Sequence, residues 1–215
     1  MLKQKMMFCT GAVLLLAVAL FTNGSLYAYT TEKNNEIKEN KIVASYITSH
    51  YNIDTDKASK IALSITSKCK EKNIPTSIII GIVEVESKFK HKASSGRGDE
   101  GLMQIRYSVW KKKYRISSRK ALYDINRNID VGTDIFRYYL KRNKGNVREA
   151  LYNYSGGLKV RKSSYVKKVL KKAVKYTAWY QNKQRHKNND RDRRIQRKDQ
   201  PIRGIPTGWY EVCLL

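Results

Sequence analysis

Between Ile74 and Gln104 the chain reads IPTSIIIGIVEVESKFKHKASSGRGDEGLMQ. The first half of this stretch constrains the fold more than any other part of the chain. Pro75 suits a first helical turn, where its missing N–H would be unsatisfied anyway, and Asn73 or Thr76 offers a cap. Ile78, Ile79, Ile82, Val83, Val85 and Phe89 then recur at the i, i+3, i+4, i+7 spacing of one helical face. A step of about 100° per residue puts Glu84 on the opposite, solvent side. The same step puts Glu86 inside the apolar stripe, beside Ile82 and Val83. A carboxylate among apolar neighbours is costly to ionise, so its pKa rises and it becomes a general acid near neutral pH. The plainer alternative for Glu86 is a buried ion pair with one of the chain's many lysines.

The second half is a loop that closes over this helix. His91 to Glu100 holds two glycines and two serines, a turn-forming composition. Gly101 lets the backbone turn close to a substrate. Gln104 offers both a donor and an acceptor. Met103 offers an adaptable apolar wall, or is plain core.

Glu86-Ser87, Gly101-Leu102-Met103-Gln104, Asn128 and Gly132 with Tyr139-Leu140, and Tyr152-Asn153 follow one another in that order. Together they resemble the motifs of the soluble lytic transglycosylase catalytic domain, whose fold is similar to goose-type lysozyme. The resemblance runs from about Lys41 to Tyr176. It implies a mainly α, lysozyme-like domain that cleaves the MurNAc–GlcNAc β-1,4 bond of peptidoglycan glycan strands. It implies Glu86 as the catalytic residue, with Ser87, Gly101, Met103, Gln104, Tyr152 and Asn153 around the substrate. Tyr152 is then the tyrosine that approaches the acid and Asn153 the residue that faces the sugar, while Asn128 and Gly132 are structural. The sequence departs from the pattern twice. Asp99 and Glu100 stand before Gly101, where the family has a small residue and a glycine. Leu-Tyr-Asn-Tyr-Ser-Gly-Gly stands where the family shows Ala-Tyr-Asn-Ala-Gly, so the glycine is displaced by one place.

The chemistry implied by the resemblance needs one carboxylate. Protonated Glu86 gives its proton to the glycosidic oxygen, then takes one from the C6 hydroxyl of MurNAc. That hydroxyl closes on its own anomeric carbon, and the product is a 1,6-anhydro sugar. A lysozyme-type hydrolase on the same fold would need a second carboxylate, and Asp99 and Glu100 are the candidates. A non-catalytic glycan-binding assembly factor is a further alternative, against which the joint presence of Glu86, Gln104 and Tyr152 argues.

The formal net charge of +26 implies a polyanionic neighbour. Peptidoglycan stem peptides and anionic wall polymers fit, and the chain lacks any motif that reads nucleic acid. Cys9, Cys69 and Cys213 show no metal-ligand spacing, and His50, His91 and His186 are scattered, so neither a metal nor a cofactor is expected. Pairing of Cys69 with Cys213 is left open.

The expected organisation has four parts. Residues 1–28 join a short charged start to an apolar run, Met6 to Phe21, and read as a signal peptide or a retained membrane anchor. Residues 29–40 read as a linker and 41–180 as the helical domain. Residues 181–215 read as a basic, disordered tail whose last residues, from Ile205, turn apolar. The protein is therefore expected in the periplasm or cell envelope, in general wall turnover, in opening the wall for a secretion or conjugation machine, or in the service of a phage. Fractionation of the full-length chain in a bacterial host checks this. An envelope location is expected, with an intact mass that separates cleavage after Ala28 from a retained anchor; an uncut cytoplasmic product would contradict it.

Overall fold

The computed structural model describes residues 28–156 and 162–198. Residues 1–27 of the signal or anchor expected over 1–28, Cys213 and the apolar end from 205 lie outside the described residues. A helix over 28–50, α1, leads into α2 (Thr55–Lys72) and α3 (Thr76–Glu86). A small hairpin follows, β1 (Asp99–Glu100) and β2 (Ile105–Arg106), then the one-turn α4 (Tyr107–Trp110). A 3-10 turn (Arg119–Tyr123), α5 (Ile125–Arg142), α6 (Val147–Tyr154) and α7 (Lys162–Lys198) complete the order. The mainly α class expected from the periodicity is what the chain adopts.

Local chemistry sets most of the boundaries. Asp54 caps α2 by accepting from the Asp56 and Lys57 amides, and Asn73 ends it in the left-handed region at φ 52°. Asn73 therefore closes α2 rather than opening α3. Pro75 sits at the cap position of α3 with no side-chain cap, and the Thr76 hydroxyl is spent on Glu39 of α1. Asp124 and Asn146 cap α5 and α6 through the Arg127 and Glu149 amides.

The sequence reading of α3 needs one correction. Ile78 through Glu84 are buried without a break, so this helix has no solvent face. It runs through the middle of the core, packed against α2 and α7, and a helix apolar nearly all round is the kind that belongs there. Glu84, expected in solvent, is only 3% exposed. Its Oε2 accepts from the Tyr46 hydroxyl of α1 at 2.9 Å, and its Oε1 meets Lys172 Nζ of α7 at 2.5 Å. Burial favours the neutral acid, but hydrogen bonds from Lys172, Tyr51 and Tyr46 outweigh it, and the Glu84 pKa lies below the ordinary carboxylate value. The carboxylate is ionised in the core because partners from three parts of the chain surround it.

Two further expectations change. Residues 29–40, expected as a linker, are helical and continuous with 41–50. Glu32 and Glu36 on this extension pair with Lys70 at the end of α2. Residues 181–198, expected to be disordered, continue α7.

After α3 the chain reverses sharply. Lys88 and Phe89 both take positive φ, 50° and 62°, and Phe89 is driven into the core against Tyr51. A bulky residue at positive φ is strained, and strain of this kind survives only where surrounding packing over-determines it. The loop then enters the hairpin, where Asp99 pairs with Arg106 and Glu100 with Ile105. Asn128 of α5 pins its turn: Nδ2 donates to the Glu100 and Leu122 carbonyls, and Oδ1 accepts from the Met103 amide. Gly101 makes that approach possible, since at φ 76° its Cβ would lie 2.1 Å from Asn128 Nδ2.

Candidate active site

Glu86 is the last residue of α3 and opens onto a cleft of about 740 Å³. The hairpin supplies one wall through Asp99, Gln104 and Arg106. Trp110 of α4 and Tyr139 of α5 line it further, and Asn153 and Tyr154 from α6 and Tyr165 from α7 complete it.

Glu86 is half-buried, and its Oε1 accepts a 2.7 Å hydrogen bond from the Tyr165 hydroxyl. Burial raises its pKa, the bond from Tyr165 works against the rise, and the negative charge of Asp99 adds to it. The net result is a carboxyl pushed up to about 7. Such a group is protonated in a large fraction of molecules at neutral pH and can hand a proton to a leaving oxygen. Burial and the nearby Glu86 also hold the Tyr165 and Tyr154 phenols above their ordinary range, so both remain donors.

The other two acids of the loop are held differently. Asp99 faces the cleft, but Arg106 grips it through two hydrogen bonds, 2.7 and 2.9 Å, and Ser95 donates a third. Burial alone would raise its pKa, and these partners bring it below the ordinary value. Glu100, the other candidate for a second carboxylate, is fully buried. It accepts from Arg119 at 2.6 Å and from Tyr123 at 3.0 Å, facing away from the cleft.

The sequence-derived site divides in two. Glu86, Gln104 and Asn153 meet in the cleft. Ser87, Gly101 and Met103 lie behind its wall. The Ser87 hydroxyl turns back to the Val83 carbonyl, and Gly101 backs onto Asn128. Met103 is wholly buried over Gly132, where a Cβ would fall 2.3 Å from its sulfur. Gly101 and Met103 shape the turn that presents Gln104, whose amide nitrogen donates to the Ala93 and Gly101 carbonyls, while Ser87 closes the end of α3. Tyr152 is also outside the lining; Tyr154, two residues on, takes the place beside Glu86 and donates to the Met103 carbonyl at 2.9 Å. The sequence carries a sign of this shift. Counted from Tyr154, Gly157 falls three places on, as in the family's Tyr-Asn-Ala-Gly, and the displaced glycine disappears. Tyr165 is absent from the sequence-derived site, since nothing local marks it as a partner of a residue 79 positions back in the chain.

The model of the transglycosylase SLT domain family matches residues 64–179, more than half of the chain. The chain belongs to the transglycosylase SLT domain family. The matched segment holds Glu86, the hairpin and α4 to α6, and most of α7 that borders the cleft. The crystal structure of the 70 kDa soluble lytic transglycosylase of Escherichia coli is similar, with a TM-score of 0.52 and 22% identity. The likeness covers 64% of this chain and 30% of that one, so it spans less than a third of the larger enzyme's length.

The electrostatics make one directional prediction. Asp99→Asn removes a negative charge facing Glu86 and frees Arg106, so the Glu86 pKa should fall below about 7. Carbon-13 titration of the glutamate carboxyls would read this; an unchanged or higher midpoint would mean that Asp99 does not act on Glu86.

Proposed function

We propose that this protein is a peptidoglycan lytic transglycosylase in which Glu86 alone serves as acid and base. The observation that carries this reading is the state of the three acids around the loop. Glu86 is held near neutrality at the cleft. Asp99 is locked as a carboxylate by Arg106 and Ser95, and Glu100 is buried against Arg119. A hydrolase needs a second carboxylate free to direct water or stabilise the sugar cation. Neither neighbour is free for that work.

In the proposed reaction a glycan strand lies in the cleft with the MurNAc–GlcNAc β-1,4 bond beside Glu86. The aromatic faces of Trp110 and Tyr139 suit the apolar faces of sugar rings. Glu86 protonates the glycosidic oxygen as the bond to C1 breaks. The carboxylate that results is stabilised by the Tyr165 hydroxyl, and it then takes the proton of the MurNAc C6 hydroxyl as that oxygen closes on C1. The proton lost to the leaving sugar is regained, and a 1,6-anhydro end forms. We read the protein as exported to the cell envelope, with the apolar run at Met6–Phe21 as the supporting feature and anionic wall material as the partner of its positive charge.

Glu86→Gln tests the assignment. The amide is nearly isosteric but neither gives nor takes the proton, so clearing of purified sacculi should slow by roughly two to four orders of magnitude, with circular dichroism unchanged. Clearing within a few-fold of the native rate would remove Glu86 from the chemistry. The same assay should lose rate as pH rises through about 7, where Glu86 gives up its proton.

A further inference from the structure

The two glutamates of α3 stand two residues apart, and both reach α7. The helices meet at Gly81, where a Cβ would lie 2.7 Å from the Val169 carbonyl oxygen and 3.3 Å from the Ala173 nitrogen. Glu84 meets Lys172 on α7, and Glu86 accepts from Tyr165 on the same helix. Tyr165 and Lys172 are seven residues apart, two helical turns, and so share one face of α7.

We propose that Glu84 is a positioning residue for the active site: its grip on Lys172 sets the rotation and height of α7, and thereby holds the Tyr165 hydroxyl on Glu86. Three observations support this. Tyr165 lies in the first turn of α7, the part of a helix with the weakest hold from its own hydrogen bonds. The contacts that α7 makes between Tyr165 and Lys172, through Val166 and Val169, are apolar and non-directional, so they resist separation more than sliding. The Glu84 carboxylate is directional, and it is fixed from the far side by Tyr46 of α1. An ionised pair buried in a core adds little net stability compared with apolar residues of the same size. Its effect is therefore best sought in what it aligns.

The groups facing Glu86 come from several elements: Tyr165 of α7, Asp99 of β1 and Tyr154 of α6, with Arg106 of β2 on the same cleft. Asp99 is tied to Arg106 within the hairpin, independently of α7. A small displacement of α7 should thus remove the Tyr165 hydrogen bond and leave the Asp99 charge in place. Both facts push the proton affinity of Glu86 upward.

The geometry does not depend on the proposed reaction, although its consequence for catalysis rests on that reading. Carbon-13 titration of the Glu86 carboxyl in the full chain tests it without reference to activity. Tyr165→Phe should raise the midpoint by about one pH unit. The neutral pair Glu84→Gln/Lys172→Gln should raise it equally, and adding Tyr165→Phe should produce no further rise. Lys172→Arg, which keeps the ion pair, should titrate like the native chain. The neutral pair avoids an uncompensated buried charge. Should it still unfold, Glu84→Gln alone carries the same test, because it removes the buried charge and leaves behind only a Lys172 side chain that is 38% exposed. An unchanged midpoint in the neutral pair, beside a raised one in Tyr165→Phe, would overturn the proposal by showing that Glu84 only stabilises the core. An unchanged midpoint in Tyr165→Phe would overturn it as well. Expected titrations with uncleaved sacculi would instead count against the functional reading and leave the positioning role standing.

Discussion

The close packing of α3 against α7 is the constraint on which the rest depends. A helix with no solvent face must have every side chain accounted for, including its two acids. Glycine at position 81 brings the α7 backbone into contact, and the two acids that follow it then have α7 within reach. One acid is drawn into a full set of partners and stays charged; the other meets a single phenol donor and the nearby Asp99 charge, and its pKa is pushed up to about 7. The same helix thus holds two carboxyls in opposite states, separated by two residues. That difference arises from the number of donors each one meets, since both are removed from bulk water.

The hairpin is the second fixed part. Asn128 satisfies backbone groups on both sides of the Gly101 turn, Gly132 makes room for Met103, and Arg119 neutralises Glu100 beneath it. These contacts are buried and specific, and they leave Gln104, Asp99 and Arg106 facing the cleft. Gly101, Met103 and Gly132 are outside the cleft lining and contribute to it through the shape they impose on the turn.

How much of this was legible depends on whether the signal was local. Glu86 could be found because an acid inside an apolar stripe is visible in a dozen residues. The Gly101–Gln104 turn and the structural role of Asn128 came from the resemblance of the ordered motifs to a known family. Glu84 could not: the helical wheel shows one apolar stripe, and only the presence of α7 and α1 on the other side reveals that its opposite face is also buried. Tyr154 and Tyr165 were missed for related reasons. The motif register around Tyr152 was ambiguous by two residues, which a helix converts into a different face. Tyr165 acquires meaning only when α7 returns to α3, 79 residues later in the chain. Residues 29–40 looked like a linker because they are polar, yet Glu32 and Glu36 find Lys70 and the segment stays helical.

The chain's positive charge sits comfortably with this arrangement. From Lys162 to His186 the sequence holds no Asp or Glu, so much of the cleft-bordering helix presents lysines to whatever it approaches, as a protein working on an anionic wall would. The central claim, however, concerns one carboxyl acting without a second. Mass spectrometry of the soluble muropeptides released from purified sacculi addresses it most directly. The account predicts ends of 1,6-anhydro-MurNAc, lighter by one water than reducing ends. Products with ordinary reducing ends from the native protein would contradict it, and would mean that a water molecule is directed in the cleft by a group other than Glu86.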